Sequence, residues 1–346
     1  MSNDVNSDMS RVQPVPIEGE IPSPPRPHGA PPEGPPPSSP VEGPEDYRGL
    51  PSGAPDGMVP LAPPPGITSW KRFSRVFFGR KVVMISLIVF ALLVLMAIFA
   101  PFLAPYKPND TLTGAPLAGP SASHWLGTDQ LGRDTLSRII YGSRVSLVIG
   151  LAVVIISSLV GILLGLIAGY YRWARAPIMR VMDAVIAFPM VLLTMTIAAL
   201  LGPGIRNVII ALTVGMVPGY VRVMCGMVLQ AKEHDYVLAL RSVGASHSRI
   251  LYRHILPNCM QPFIVLMTMQ LGGVILAEAG LSFLGIGIQA PTASWGGMIS
   301  DGQPFLQKAP WLAIAPGLVL MILVFSFNMA GDGLRDALDP RLRGMI

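Results

Sequence analysis

The chain has 346 residues, of which 51% are hydrophobic and 13% charged, whereas a soluble domain carries about 25% charged residues. This composition excludes an ordinary soluble globular domain and indicates an integral membrane protein. The net charge of +5 is unevenly divided, because residues 1–65 sum to −6 and the remainder to +11, and we interpret the basic surplus as loop charges that set membrane topology, not as a nucleic-acid-binding surface.

The first 66 residues contain 19 of the 35 prolines and few apolar side chains. Such a segment cannot offset its ordering entropy, so residues 1–66 are expected to form a disordered cytoplasmic tail. A proline-rich ligand for a partner protein is the alternative. The opening residues have neither the basic region nor the apolar core of a signal peptide, so the first span is expected to stay uncleaved. The run "WKRFSRVFFGRK" at 70–81 suits a basic helix in the headgroup region.

Long apolar segments predict an all-α integral membrane protein with six transmembrane helices within residues 82–331. The predicted spans are roughly 82–103, 144–170, 178–201, 206–229, 259–288 and 310–331. Pro189 is expected to kink the third span. Lys and Arg number 15 in the segments on the side of the N-terminus and 6 on the other side, so both termini, including 332–346, are predicted to be cytoplasmic.

The sequence has no motif for nucleotide hydrolysis or for covalent catalysis. A P-loop requires the dipeptide Gly-Lys, which is absent, and no Ser-His-Asp, Cys-His or H-E-x-x-H arrangement is present. Cys225 and Cys259 form neither a disulfide framework nor a zinc pattern, so we interpret them as packing residues. The chain is therefore expected to be non-catalytic and to bind no cofactor directly.

A small group of polar residues precedes the second span. His124, Asp129 and Asp134 have loose spacing for a metal site outside the membrane. The alternative is that the two carboxylates cap a helix or form ion pairs, for example with Arg133 or Arg138. In this alternative, the segment is a folded turn that fixes the outer loop over the second span.

Charged residues within spans are costly and therefore informative. Asp183 follows Arg180 at i,i+3, which favours a local ion pair over a role in a pathway. Glu278 and Ser282 lie late in the fifth span and are candidates for a translocation path. Glu278 has two further interpretations, namely an ion pair with an Arg of a partner subunit and a support for the outer segment that follows.

The polar stretch "DYVLALRSVGASHSRILYRHILPN" at 235–258 lies between the fourth and fifth predicted spans. Asp235 is a plausible N-cap of one short helix, which Gly244 is placed to end in the left-handed conformation. Ser246 is placed to cap a second helix and Pro257 to stop it. The apolar residues at helical spacing in the second helix are Ile250, Leu251, Ile255 and Leu256. Because both helices are too short to be stable alone, the ends of the spans or a cytoplasmic partner must cover their apolar faces.

This stretch resembles the cytoplasmic loop of ATP-binding-cassette importer permeases, whose pattern is Glu-Ala-Ala, three residues, Gly, nine residues, Ile-x-Leu-Pro. Gly244, Leu256 and Pro257 match that pattern, whereas Leu238 replaces its Glu and His254 replaces its Ile. "RHILPN" is similar to the peptide/nickel branch. The stretches "HWLGTDQLGRDTLSRIIYGSRVSL", "EAGLSFLGIGIQAPTASWGGMI" and "DGLRDALDPRLRG" resemble the C-type subunits of the same branch, so the resemblance covers roughly 70–346.

The resemblance implies a type I importer (MetI-like) fold in the bacterial inner membrane, paired with a homologous permease subunit as a heterodimer. Two ATPase subunits would supply ATP hydrolysis, and an extracytoplasmic binding protein would deliver di- or oligopeptides; nickel and glutathione are the alternatives within the family. The residues implied in ATPase coupling are Tyr236, Ala239, Arg241, Gly244, Ala245, Arg249, Ile250, Leu256 and Pro257. Outside the family, an ion-coupled secondary transporter and a membrane scaffold remain open, as does a loop that merely covers the bundle.

Overall fold

The computed structural model describes residues 80–338, and every regular element between them is a helix. Five helices are long and apolar enough to cross a membrane, and one bent pair supplies a sixth span. These findings confirm the predicted all-α, six-span architecture. The predicted tail (1–66), the basic segment 70–81 up to residue 79, and residues 339–346 of the C-terminal segment lie outside the described residues.

The described part of the chain contains eleven α-helices. They are α1 (Lys81–Ile98), α2 (Ala100–Leu103), α3 (Thr135–Tyr170), α4 (Arg172–Ile186), α5 (Met190–Leu201), α6 (Ile205–Lys232), α7 (Asp235–Ser242), α8 (His247–Arg249), α9 (Leu256–Phe283), α10 (Trp295–Gly302) and α11 (Trp311–Leu338). The spans are α1, α3, the pair α4 and α5, α6, α9 and α11.

The third span is broken where the sequence places Pro189. Helices α4 and α5 meet at an angle of 85°, and Pro189 sits at the break with extended backbone angles. Proline disfavours helical geometry in the residue before it and lacks the N–H that would continue the ladder. The predicted kink at Pro189 is therefore confirmed, and it is large enough to turn the chain.

The predicted span boundaries differ from the helices at several ends. The second spanning helix starts at Thr135, not near 144, and its first turn is capped by Asp134, whose carboxylate accepts from the Ser137 N–H at 2.8 Å. Hydropathy misses this start because the first turns carry buried polar side chains instead of apolar ones. The sixth helix continues past 331 to Leu338, and the fifth ends at Phe283 instead of near 288.

Helices α3 and α6 approach closely along a row of glycines. A Cβ added at Gly161 would lie 2.4 Å from the Cβ of Tyr220, and one added at Gly165 would lie 2.6 Å from the Cβ of Met224. Small residues at four-residue spacing let membrane helices pack with backbone close to backbone. This row fixes the fourth span, which leads into the 235–258 loop, against the second span.

Both ends of the described chain lie at the end of the bundle that carries the 235–258 loop, here called the loop end. The guanidinium of Arg80, before α1, forms an ion pair with Asp336 near the end of α11. Gln261 Nε2, early in α9, donates to the main-chain oxygen of Leu338 at 2.6 Å. Since α9 is continuous with the loop, the start of α1, the end of α11 and the loop share one end.

Asp183 does not pair with Arg180 as predicted. Its carboxylate binds Arg222 of the fourth span at 2.5 Å, and both side chains are largely exposed. The sequence-based expectation was wrong because the bend at Pro189 sets α4 beside α6. There Asp183 meets Arg222, 39 positions away, in place of Arg180 one helical turn earlier.

Candidate functional site

The 235–258 loop folds as a helical hairpin closed by Gly244. Helix α7 begins at Asp235, with His234 at the capping position, so the prediction of Asp235 as N-cap is wrong by one residue. Gly244 has a φ of +77°, which confirms its predicted left-handed conformation. The Gly244 N–H donates to Arg241 O and the Ala245 N–H donates to Leu240 O, each at 3.0 Å. This pairing satisfies the last carbonyls of α7 and turns the chain sharply.

One half of the hairpin is buried against the spans. Val237, Ile250 and Ile255 are fully buried, in a cluster with Met224 and Val228 of α6. Burying an aliphatic side chain of this size stabilises the arrangement by about 1.5–3 kcal/mol each. Ile250, which the resemblance implies in ATPase coupling, therefore holds the loop onto α6 and presents no surface to a partner.

The other half of the hairpin is exposed and contains apolar side chains. Val243 is 80% exposed, Leu238 50% and Tyr236 37%. Ala239, Arg241, Gly244, Arg249 and Pro257 are also exposed, whereas Ala245 and Leu256 are half-buried. The exposed half therefore has an apolar tip around Val243, which is flanked by exposed arginines.

Two side-chain hydrogen bonds tie the hairpin to the spans. The hydroxyl of Tyr170, at the end of α3, lies 2.8 Å from His247 Nδ1. Asn258 Nδ2 of α9 donates to the hydroxyl of Tyr236 in α7 at 3.1 Å. These two bonds connect the hairpin directly to the second and fifth spans.

The second half of the hairpin continues into the fifth span without a stop. Residues Ile250–Ile255 form a π-helix between α8 and α9, and the run His247–Phe283 is one helical unit of 37 residues. The prediction that Pro257 stops the second helix is therefore wrong. A π turn is wider than an α turn, which relieves the clash of the proline ring with the preceding turn. Ser246 takes the predicted capping position but makes no side-chain cap hydrogen bond.

A cleft of about 330 Å³ opens beside the hairpin, between α6 and α9. Its polar lining comes from Gln230, His234, Tyr236 and Asn258. The hydrogen bond between Tyr236 and Asn258 joins two residues of this lining, so the cleft and the exposed half of the hairpin share Tyr236.

Glu278 lies at the opposite end of the bundle and is fully buried within the chain. Its carboxylate accepts from Ser146 Oγ of α3 at 3.1 Å and from Ser282 Oγ at 2.8 Å. Ser282 Oγ in turn accepts from the main-chain N–H of Ile288 at 3.0 Å. This geometry favours the interpretation that Glu278 supports the outer segment, while its role and that of Ser282 in a path stay predictions.

The polar residues before α3 form a bonded network. Asp129 forms ion pairs with Arg133 at 2.6 Å and with Arg138 at 3.7 Å, and Asp134 binds His124 Nδ1 at 2.9 Å. The carboxylates that were candidates for a metal are thus engaged in ion pairs and a helix cap. Within residues 80–338, no cluster of three His, Cys, Asp or Glu side chains could hold a metal ion.

Helix α10 packs over α3 at the end of the bundle opposite the loop end. The Trp295 side chain is fully buried, and its Nε1 donates to the main-chain oxygen of Ile139 at 3.0 Å. Nearby, burial raises the pKa of Asp301, although Arg138 and Arg133 act to lower it. Nothing in the sequence pairs Trp295 with Ile139, since 156 positions separate them.

The chain is similar to two known families and to curated permeases. Residues 161–344 match the family described as binding-protein-dependent transport system inner membrane component. Residues 68–120 match the N-terminal transmembrane domain of oligopeptide transport permease C.

Three relatives illustrate the range of these permeases. The dipeptide transport system permease protein DppC of Alkalihalophilus pseudofirmus is 42% identical over 290 residues, covering 82% of this chain and 95% of the relative. The di/tripeptide permease protein DppC of Pseudomonas aeruginosa is 44% identical over 280 residues, covering 79% and 92%. The glutathione permease protein GsiD of Pectobacterium atrosepticum is 41% identical over 278 residues, covering 80% and 92%.

Proposed function

The chain belongs to the family of binding-protein-dependent transport system inner membrane components, and from this membership we propose that it conducts small peptides as the permease subunit of an ATP-driven importer. Membership makes it a multi-pass membrane protein and decides against the ion-coupled transporter and the scaffold. The proposal adds the substrate, the surface that meets the ATPase, and the orientation.

The observation that supports the ATPase surface is the division of the 235–258 loop into a buried and an exposed half. The buried half carries Val237 and Ile250, and the exposed half carries Leu238 and Val243. A loop that only covered the bundle would bury its apolar side chains and expose its polar ones. An exposed apolar tip on a hairpin that is hydrogen-bonded to two spans instead supports a rigid element that docks into a groove of a cytoplasmic protein.

Small peptides are the substrate class that the relatives favour. Two relatives bear names for dipeptides or di/tripeptides, and the third is named for glutathione, which is itself a tripeptide. Nickel stays the less supported alternative. The polar cleft beside the hairpin offers amide, imidazole and hydroxyl groups that can form hydrogen bonds with peptide groups.

We further propose that the loop end faces the cytoplasm. The shared position of the start of α1, the end of α11 and the loop agrees with the predicted excess of Lys and Arg on that side. Two ATPase subunits would bind there, and an extracytoplasmic binding protein would bind at the end that carries α10. A homologous permease subunit would complete the path.

ATP is then used by the partners, because this chain has no P-loop and is proposed to bind no cofactor. The ATPase must contact the loop differently in the two states of the spans, since an effector with equal affinity for both states shifts neither. Motion at Val243 would reach α9 through the hydrogen bond between Tyr236 and Asn258, and α3 through the one between Tyr170 and His247.

The test is a co-purification with the ATPase subunits of a peptide importer from the same organism. The double variant Leu238→Glu/Val243→Glu places two carboxylates on the exposed tip and should abolish ATPase capture while the protein still inserts. The matched control is Leu131→Glu, an exposed leucine at the opposite end, which should capture the ATPase as the unaltered protein does. Full capture by the double variant would refute the proposed docking surface.

A further inference from the structure

A second cleft, of about 220 Å³, opens at the end of the bundle opposite the loop end, between the start of α3, the chain that follows α9, and α10. An apolar cavity of about 150 Å³ is large enough to bind benzene, so this cleft has room for a group about the size of one amino-acid residue. Two charged residues line it, Arg138 of α3 and Asp301 of α10. The neutral polar side chains of the lining come from Ser282, Gln289, Thr292 and Ser300.

The Arg138 guanidinium lines this cleft with part of its hydrogen-bonding capacity unused. Its Nη1 donates to Pro108 O at 3.1 Å and to Pro291 O at 3.5 Å, and its Nε lies 3.7 Å from the Asp129 carboxylate. Nη2 makes no hydrogen bond within residues 80–338. Asp129 lies closer to Arg133, at 2.6 Å, so it neutralises Arg138 only in part. The guanidinium therefore retains a donor for a further anion.

Asp301 is the second charged residue of the cleft. Between residues 80 and 338, no Lys, Arg or His lies within ion-pair distance of its carboxylate. Burial raises the pKa of Asp301, and the more distant charges of Arg138 and Arg133 lower it. A cation bound directly to the carboxylate would favour its ionised form. One cleft thus presents a cation and a carboxylate that do not form an ion pair with each other.

We propose that this cleft binds a small peptide by its two free termini, with the peptide carboxylate on Arg138 and the peptide ammonium on Asp301. A planar guanidinium matches a carboxylate and can donate two parallel hydrogen bonds to it. An extended chain spans about 3.3–3.6 Å per residue, so only a very short peptide brings both termini into a cleft of this size.

The inference rests on the proposed function, which supplies the peptide, and adds the place where the permease holds it. Ser282, one of the two candidates for a translocation path, lines the same cleft and donates to Glu278, the other candidate. The competing explanation is that Arg138 and Asp301 only hold the chain after α9 in place, as the bond from Arg138 to Pro291 O does. A purely structural role would make every ligand bind equally less well when either residue is changed.

Three forms of dialanine distinguish these explanations. The free dipeptide, its C-terminal amide and its N-acetyl form are titrated onto the full chain in nanodiscs, and binding is followed by ligand-observed NMR. Each blocked form lacks one charged terminus, so each should bind about 10- to 100-fold more weakly than the free dipeptide. Equal affinities of the three forms for the unaltered protein would overturn the proposal.

Two variants assign each terminus to its residue. Arg138→Gln should weaken the free and N-acetyl forms about 10- to 100-fold without weakening the amide, which has no carboxylate to lose. Asp301→Asn should weaken the free and amide forms without weakening the N-acetyl form. The matched control is Asp110→Asn, which removes an exposed carboxylate outside the cleft and should change none of the three affinities.

A loss that is equal for all three ligands in Asp301→Asn or Arg138→Gln would overturn the proposal in favour of a structural role. If Arg138→Gln does not insert, the ligand series on the unaltered protein and on Asp301→Asn still decides. Failure of all three forms to bind, while dialanine still stimulates ATP hydrolysis by the assembled importer, would refute the cleft and leave the proposed function standing. Absence of both binding and stimulation would refute the proposed function as well.

Discussion

Replacing Gly244 by Ala isolates the backbone conformation of the proposed docking hairpin. Gly244 has a φ of +77°, and a Cβ added there meets no atom within 4 Å. The substitution therefore creates no clash within the chain, and its cost is the left-handed conformation itself, about 1–2 kcal/mol for a residue with a Cβ. The population of the native turn relative to relaxed alternatives should fall about 5- to 30-fold.

The affinity for the ATPase subunits should fall by the same factor as the population of the native turn, because the partner must restore the turn on docking. Affinity is measured by titrating ATPase subunits onto the permease in nanodiscs, and peptide-stimulated ATP hydrolysis is followed in parallel. Gly244→Asn should lose much less, since asparagine tolerates the left-handed region. The series Gly, Asn, Ala should thus rank affinity in that order.

Gly202→Ala is the matched control. Gly202 also has a positive φ, of +83°, and open space around its Cβ position, but it lies at the turn between α5 and α6, at the opposite end. Gly202 has a ψ of 176°, in a region that is essentially restricted to glycine, so this variant carries at least as much backbone strain away from the loop. Its ATPase affinity should match that of the unaltered protein. An unchanged affinity for Gly244→Ala, or an equal loss for Gly202→Ala, would refute the reasoning.

Three further predictions concern the bundle. Gly161→Ala forces a Cβ to 2.4 Å from that of Tyr220 and should destabilise the detergent-purified protein by about 1–3 kcal/mol. Gly219→Ala meets no atom within 4 Å and lies inside α6, so it should keep or raise the Tm. Equal Tm values for the two variants would contradict close packing of α3 and α6. Trp295→Phe removes a buried hydrogen bond and should cost about 1–3 kcal/mol in thermal unfolding, so an unaltered Tm would show that water satisfies the carbonyl. Glu278→Gln keeps a group able to bond both serines and should preserve Tm and peptide uptake; lost uptake at unchanged Tm would instead place the carboxylate in the translocation path.

Several features of the fold were readable from local sequence. The bend at Pro189 follows from the chemistry of one residue, and Gly244 turns the chain because no side chain opposes a positive φ. Apolar length alone predicted six spans. Their ends were less accurate, since Thr135 starts a helix whose first turn is polar and is buried by the segment folded over it.

The sequence singled out the 235–258 loop but not the division of that loop into a buried and an exposed half. The sequence pattern groups Ile250 with the docking residues, yet the structure buries it against α6 and exposes Val243, which no pattern had singled out. Pro257 was expected to stop a helix, but a π turn absorbs it and carries the helix into the fifth span. Helical periodicity marks an apolar face without stating which neighbour covers it.

The sequence by itself determined that the chain spans a membrane, bends at Pro189, turns at Gly244 and lacks a nucleotide loop, because each of these depends on composition or on the chemistry of adjacent residues. Only the tertiary structure decided which side chains meet. Asp183 binds a cation 39 positions away and Glu278 a serine 132 positions away. Such partners depend on how the spans pack, and packing is set by contacts summed over whole helices, so no local pattern contains them.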